Sequence, residues 1–592
     1  MFVKYERRVM MNNYEKDILK IIESGFKNQR VLAKESGYSL GKVNESLKIL
    51  KRDGYIDEDM QITPMGHKLL EEGKPKNAII LAAGYGMRMI PINSETPKGL
   101  IQVKGEYLIE RMITQLHQKG IYDITLVVGF MKESYEYLID KYSVDLKVNM
   151  DYAIKNNLHS LSLVADKIDH TYIIPCDVWC GENPFDQREL YSWYMVTDTI
   201  DEESTIRVNR HQELVKTAEN GNQWIGIAYI SGEDSKDLRN RLLEMDANKK
   251  HQDDFWEEAL FKQGKMSVAA KVVSSENTYE INTYEQLRKL DEDSDALKTD
   301  TLELISDVLD VPLSEIVDIT VLKRGMTNRS FLFTVKNKKY IMRVPGEGTD
   351  ELIHRDEEYK VYQKIKDLGL CDQIIYINPD NGYKITEYLE NVRNCDASKE
   401  EDVKNCMKKL RQFHNMKLQI DHTFNIFEKI EFYETLRKGQ PSCYRDYEKT
   451  KERVYELKEY IDSQPKDWVL THMDAVPDNF LFVPCDNGSE EIKLIDWEYS
   501  GMQDPHVDIA MFAIYSLYNE SEVNRLIDMY FPEGCHHNVR LKIYCYIAAC
   551  GLLWSNWCEY KSLLGVEFGE YSLRQYRYAK DYYRIFKEQK HS

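Results

Sequence analysis

Two motifs lie about 400 residues apart in this 592-residue chain, and each demands an α/β core of its own. The first, Ala82-Ala83-Gly84-Tyr85-Gly86-Met87-Arg88, follows a short apolar run and is itself followed by Pro97-Lys98. A glycine loop at the end of a buried strand lets backbone N–H groups close on phosphate oxygens, and Arg88 and Lys98 add charge. The second, His472-Met473-Asp474-Ala475-Val476-Pro477-Asp478-Asn479, precedes Ile495-Asp496-Trp497-Glu498. It places an aspartate beside an Asn and Asp pair, hard oxygen donors of the kind a divalent cation takes. A chain of this length is expected to build three or four domains.

The flanking sequence sets their order. Residues 1–76 read as three short helices and a hairpin. Residues 14–23 carry an apolar stripe at Ile18, Leu19, Ile21 and Ile22. Residues 31–36 end at Gly37, and Ser39 caps a helix with Val43, Leu47 and Leu50 on one face. Residues 54–63 suit a wing and 64–72 a closing helix. This resembles a bacterial winged helix-turn-helix, whose second motif helix would offer Lys42, Asn44, Lys48, Lys51 and Arg52 to DNA. The alternative is a set of solvated helix faces on an accessory domain or one that joins a homodimer. Residues 77–290 alternate apolar strands (78–82, 124–129, 172–175, 226–230) with helical stretches, which predicts a mainly parallel, Rossmann-like sheet. A charged stretch over 288–300 reads as a linker. From 296 to 592, strand-rich sequence at 317–344 gives way to long helices, the order of a bilobal, protein-kinase-like phosphotransferase. The predicted class is therefore multidomain, α/β and α+β.

Composition works by exclusion. The net charge of −20 argues against general polyanion binding. Residues 1–76 hold 15 Lys and Arg against 12 Asp and Glu, and the remainder holds 64 against 87. Only the first domain suits nucleic acid. Eleven cysteines without C-x-x-C pairs fit a reducing cytoplasm, with Cys176 and Cys180 read as buried thiols rather than metal ligands. No apolar run reaches the roughly eighteen residues of a membrane span, and the first residues lack the apolar core of a signal peptide.

The pattern A-A-G-x-G-x-R, with Lys98 ten residues beyond Arg88, resembles the sugar-phosphate nucleotidyltransferase superfamily over residues 77–285. Lys155-Asn156-Asn157-Leu158-His159-Ser160-Leu161 is similar to the N-N-x-x-S-L segment of bacterial CTP:phosphocholine cytidylyltransferases. The resemblance implies CTP and phosphocholine as substrates, in-line attack on the α-phosphorus, and pyrophosphate as leaving group. It implies Ala82, Ala83, Gly84 and Gly86 on the nucleotide and Lys98 and Arg88 as the catalytic cations. It also implies Mg²⁺ on Asp177, at the end of a strand. The family often carries a second metal aspartate in a late E-I-D segment. Here the residues are Glu280-Ile281-Asn282, so Asn282 would bring a carbonyl without formal charge. Asp254, Trp256 and Glu280 are candidates for a cationic head-group pocket, and Phe255 for core packing.

Asp474, Asn479 and Asp496 supply what phosphoryl transfer to a hydroxyl needs, an aspartate to accept the proton and two ligands for Mg²⁺ on the nucleotide. Upstream, residues 324–328 would cover the phosphates. Arg343 stands where protein kinases carry a strand lysine, Glu358 would pair with it, and Glu387 and Leu389 suit the adenine-binding hinge. This set resembles choline/ethanolamine kinases, with relatives among aminoglycoside phosphotransferases, over residues 315–585. Y-I-M-R-V-P-G at 340–346, I-D-W-E-Y-S-G at 495–501 and Trp554-Ser555-Asn556-Trp557 favour the choline branch. Trp554 and Trp557, three apart on a helix, would form with Glu498 and Tyr499 an aromatic and acidic cage for trimethylammonium. The alternative is a tryptophan pair that only packs the core. Asp504 and Asp508 read as structural supports of the catalytic loop.

Together the motifs predict a bifunctional enzyme. The C-terminal domain phosphorylates choline with ATP, and the central domain joins the phosphocholine to CMP from CTP. Two other readings stay open: the same activities on ethanolamine or another amino alcohol, and a DNA-binding regulator that senses choline metabolites.

Overall fold

The strand that carries the glycine loop lies within the main sheet of the first of two units, 1–301 and 302–592. In this computed structural model all residues are described except 1–10, 26–27, 203, 323–327, 347–351, 486, 564–565, 567 and 591–592. Asn77–Ala82 (β1) runs parallel to Asp123–Val128 (β2), which is parallel in turn to Asp145–Val148 (β3). On its other side β1 runs parallel to Thr171–Pro175 (β4). Ala78, Ile79 and Ile80 are fully buried, as expected of a strand covered on both faces. Val178–Cys180 (β5) follows β4 and leads on to Trp193–Asp201 (β6).

Beyond β4 the sheet is mixed: β6 runs parallel to Lys265–Val273, and the other pairings are antiparallel. Gly221–Ile230 (β7) lies antiparallel to both β4 and β6. Among the described residues the segment between β6 and β7 holds two short strands and no helix, so the chain returns without the crossover that parallel pairing needs. A buried strand's apolar run does not encode its direction.

Asn13–Glu23 (α1), Gln29–Ser36 (α2), Leu40–Arg52 (α3) and Pro64–Glu72 (α4) form the predicted winged helix. Ser39 Oγ accepts from the Lys42 amide at 3.2 Å, and an Ile56–Ile62 bridge closes the wing. This subdomain is built into the first unit. Leu190, from the segment between β5 and β6, is buried in its hydrophobic core, against Gly73 where a Cβ would collide with it. Lys20 bridges Asp186 (3.0 Å) and Glu189 (3.2 Å), and the Tyr191 hydroxyl donates to Asp17 (2.9 Å). The predicted linker is folded as well. Tyr284–Leu290 is a helix with a Thr283 capping box, and Ser294 donates to the Gln102 carbonyl.

In the second unit Val317–Val321 (β9), Asn328–Val335 (β10), Lys338–Pro345 (β11), Ile374–Ile377 (β12) and Lys384–Glu387 (β13) form a sheet in the order β9-β10-β11-β13-β12. The strand that precedes β9 in numbering, Thr278–Glu280 (β8), belongs to the first unit and pairs antiparallel with β5. Arg355–Ile365 (α5) follows β11. A helical lobe succeeds the sheet, with His506–Tyr515 (α6) and His537–Leu563 (α7), in which 541–558 are all buried.

Candidate active sites

Gly86 adopts φ 61°, a left-handed turn that suits glycine, and Asn93 Nδ2 holds the Tyr85 and Gly86 carbonyls at 2.9 and 3.1 Å. Ala82 and Ala83 are buried at the strand end, Gly84 is exposed, and the Phe130 amide donates to the Ala83 carbonyl at 3.0 Å. Lys98 Nζ contacts Asp177 Oδ2 and donates to Asn282 Oδ1 at 2.8 Å, and Arg88 Nη2 donates to that same oxygen at 2.9 Å. The Ile281 amide donates to the Asp177 carbonyl (2.9 Å), which fixes Glu280 and Asn282 beside the end of β4. Burial and the Asp177 charge push the Glu280 carboxyl up to about 7. Asp177 Oδ1 is buried and has no hydrogen-bond partner among the described residues. A buried hard oxygen in that state fits a Mg²⁺ ligand. Cys176 and Cys180 are buried thiols, pushed up to about 12 by burial.

The expected head-group residues separate. Asp254 meets His251 Nδ1 at 2.7 Å on the rim. Phe255 is 59% exposed and Trp256 1%, the reverse of the expectation for this pair. The Trp256 amide donates to Asn157 Oδ1 (2.8 Å), which tucks its ring toward Tyr194 (6.1 Å between centroids) and turns Phe255 outward. The sequence reading missed Glu257. The Tyr194 hydroxyl donates to its Oε1 (3.1 Å), Oε2 is buried without a partner among the described residues, and burial pushes the carboxyl to about 7 with help from the Glu280 charge. Its signal, the acid pair Glu257-Glu258 after two aromatics, did not tell which acid points inward.

In the second unit a cavity of about 890 Å³ opens beneath the sheet. Of the predicted kinase-site residues, Arg343, Asp474, Asn479, Asp496, Glu498, Tyr499, Trp554 and Trp557 line it, and Glu358, Glu387 and Leu389 do not. Asp474 follows Val469–Thr471 (β14). Asp508, in the first turn of α6, accepts from the His472 and Met473 amides (2.9 and 2.8 Å) and meets His414 Nε2 at 2.9 Å. That grip holds Met473 at φ 63°, so Asp508 supports the loop as expected. Asp504 serves elsewhere, paired with Lys542 at 2.6 Å. His472 Nε2 meets the Ile495 carbonyl (3.0 Å) and ties the loop to the segment that bears Asp496. Asn479 Nδ2 donates to Asp474 Oδ2 (3.0 Å), which leaves the Asn479 carbonyl and Asp496 as oxygen donors that fit Mg²⁺. Burial and the Asp496 charge push the Asp474 carboxyl to about 7.

Arg343 forks onto Glu358 of α5 at 2.5 and 2.8 Å. Arg355 (3.4 Å) and Lys384 (3.7 Å) share the same carboxylate. Burial raises Glu358, but the Arg343 and Lys384 charges outweigh it and hold the carboxyl at about 2. Lys384 lies across from Arg343 in register and was missed, although a lysine in an otherwise core-facing strand was the available signal. Glu387 ends β13 opposite Tyr340, and Leu389 follows half-buried. Neither reaches the cavity wall, where Asp372 and Thr386 stand instead. Of the predicted phosphate loop, 324–327 lie outside the described residues, and Asn328 donates to Glu498 Oε2 at 3.0 Å.

The aromatic side chains expected to form the cage pack against one another, Trp554 edge to face with both Tyr499 and Trp557. Ring centroids are 5.8 Å apart for Tyr499–Trp554, 5.3 Å for Trp554–Trp557 and 5.2 Å for Trp557–Phe568. Burial and the Asp496 charge push the Glu498 carboxyl to about 8. The tryptophans are both buried and cavity-lining, so the two readings of them coincide. Phe568 follows the end of α7, and helical spacing gave no hint of it.

On α3, Lys42 pairs with Glu45 (3.1 Å), Lys51 with Glu58 (3.1 Å) and Arg52 with Asp53 (2.7 Å). Lys48 is exposed, and the Asn44 carbonyl oxygen is buried.

Three family models match the chain: wHTH-PRTase associated over 17–82, MobA-like NTP transferase domain over 78–183, and Choline/ethanolamine kinase over 319–528. Choline-phosphate cytidylyltransferase of Streptococcus pneumoniae is 31% identical over 221 residues, 36% of this chain and 96% of that protein. 2-Aminoethylphosphonate cytidylyltransferase of Lancefieldella rimae is 29% identical over 231 residues, 36% of this chain and 92% of that protein. The crystal structure of choline kinase LicA from Streptococcus pneumoniae is 31% identical, covering 48% of this chain and 97% of that one with a TM-score of 0.42.

Proposed function

The chain belongs to the choline-phosphate cytidylyltransferase family through its middle third and carries a choline/ethanolamine kinase domain behind it, and from that premise we propose that it makes CDP-choline in two steps. The second unit transfers the γ-phosphoryl group of ATP to the choline hydroxyl. The first unit joins the resulting phosphocholine to the CMP moiety of CTP and releases pyrophosphate. The observation that carries the reading is the shared cavity, in which the Trp554–Trp557 wall and Asp474 face one space.

In the kinase step the aromatic faces and Glu498 receive the trimethylammonium group and aim the hydroxyl at Asp474. The Asp474 carboxylate accepts the hydroxyl proton as the oxygen attacks, and a carboxyl near 7 suits that task at neutral pH. Arg343, fixed by Glu358, meets the phosphates. In the cytidylyl step Lys98 and Arg88 meet the charge that develops on the α- and β-phosphates, and Gly84 and Gly86 let the backbone approach them. Mg²⁺, held by Asp177 in one site and by Asn479 and Asp496 in the other, neutralises nucleotide charge when bound. The reading places the chain in the cytoplasm, where ATP and CTP are available.

A second reading, the same chemistry on a primary amine, draws support from the Glu257–Glu280 carboxylate pair, since a small ammonium favours carboxylates over aromatic faces. A DNA reader is disfavoured by α3, where three of the four cations already meet carboxylates.

The test is one reaction with choline, ATP, CTP and Mg²⁺, products separated by mass. CDP-choline establishes both steps, phosphocholine alone removes the cytidylyl assignment, and product only from ethanolamine moves the substrate to the second reading.

A further inference from the structure

Asn282 stands in the cytidylyl site with its side chain and its backbone N–H engaged. Its oxygen accepts from Arg88 at 2.9 Å and from Lys98 at 2.8 Å. Its side chain hydrogen-bonds the Glu280 carboxylate, and its amide N–H donates to Gln286 Oε1 at 2.7 Å. An amide can accept from two cations while donating to a carboxylate, and an ionised aspartate cannot donate. An aspartate could take both cations but would face Glu280 with a like charge.

We propose that Asn282 is a positioning residue and not a metal ligand, so that this site holds its divalent cation through Asp177 and acquires it together with the nucleotide. The charges around Asn282 support this. Arg88 and Lys98 oppose Asp177 and Glu280, whose negative charge at most balances the two cations, so the pocket without nucleotide offers little net field to a free dication. Asp177 Oδ1 is the oxygen left over, buried and unpartnered among the described residues. The triphosphate of CTP adds the missing negative charge and oxygen donors, and the metal enters with it. Asn282 keeps Arg88 and Lys98 pointed at the phosphates and keeps Glu280 from turning toward the metal. The inference rests on the nucleotidyltransferase reading of this site, but its readout does not depend on which alcohol phosphate is the acceptor.

The experiment is Mn²⁺ binding, followed by electron paramagnetic resonance and calorimetry, on the full chain carrying Asp496→Asn to silence the second unit's metal site. Without CTP, the Asn282 protein should show no saturable tight site. Adding Asn282→Asp should create one that binds Mn²⁺ at least about tenfold more tightly, a change of about 1.4 kcal/mol. Asp177→Asn should remove it again. The proposal is overturned if the Asn282 protein already holds one equivalent of Mn²⁺ without CTP, or if Asn282→Asp binds no better. Choline phosphorylation by an Asn282→Asp single variant, left at the parental rate, shows that the substitution has not unfolded the chain. If Mn²⁺ behaves as expected but no CDP-alcohol forms from any acceptor, the functional reading fails and the metal inference stands.

Discussion

Replacing Trp557 with leucine separates a cation-binding cage from a packed core, because leucine keeps apolar volume and removes the π face. Trp557 is 4% exposed, sits edge-on to Trp554 at 5.3 Å and meets Phe568 at 5.2 Å, so a quaternary ammonium here would be largely stripped of water. A cation over a desolvated indole gains about 2 kcal/mol, which at 1.4 kcal/mol per tenfold is roughly a 30-fold rise in choline KM. The variant also loses packing, on the order of 1–3 kcal/mol of stability, so assays belong well below its melting temperature. Initial rates of ADP formation, with choline varied at saturating ATP and then ATP at saturating choline, give both constants. Choline KM should rise about 30-fold and ATP KM should stay within about twofold. Trp557→Phe, which restores a smaller π face, should recover most of the loss. An unchanged choline KM in a protein that still melts cooperatively refutes the cage. So does an equal shift in both constants, which would mean that Trp557 holds the cavity together without selecting its ligand.

Asp474→Ala should abolish choline phosphorylation and leave cytidylyl transfer from supplied phosphocholine intact, while Lys98→Ala should do the reverse and let phosphocholine accumulate. Loss of both reactions from either variant, in folded protein, refutes two independent sites. Because burial and Asp496 raise the Asp474 carboxyl to about 7, the base is protonated below that pH. The kinase rate should therefore fall about tenfold per pH unit on the acid side, and a flat profile between pH 5 and 7 removes Asp474 as the base. Leu190→Asp places a charge in the winged-helix core and should cost about 3 kcal/mol or more. Limited proteolysis should then cut near residues 73–77 far sooner than in the parent, and an unchanged digest means that Leu190 is not the anchor.

The residues proposed to meet the nucleotides were legible in the sequence because phosphate chemistry restricts both residue type and spacing. The Ala82–Arg88 loop with Lys98, and Asp474 with Asn479 and Asp496, each converge in one site from positions close in the chain or linked by one strand. Helix boundaries on α3 and α4 were legible for a similar reason, since Ser39 and Pro64 act on the turn beside them. What recognises the organic head group was only partly legible. Phe255 and Trp256 exchanged roles because one hydrogen bond from the Trp256 amide to Asn157, 99 residues away, decides which ring turns inward. Glu257 and Lys384 matter through partners on other strands, and Phe568 through its ring contact with Trp557. The direction of β7 and the docking of the winged helix through Leu190 likewise depend on long-range contacts. The sequence by itself determined the chemistry, because catalytic groups must be of one type at nearly one spacing. Only the tertiary structure decided specificity and domain docking, because apolar and acidic side chains acquire a role from what the fold sets opposite them.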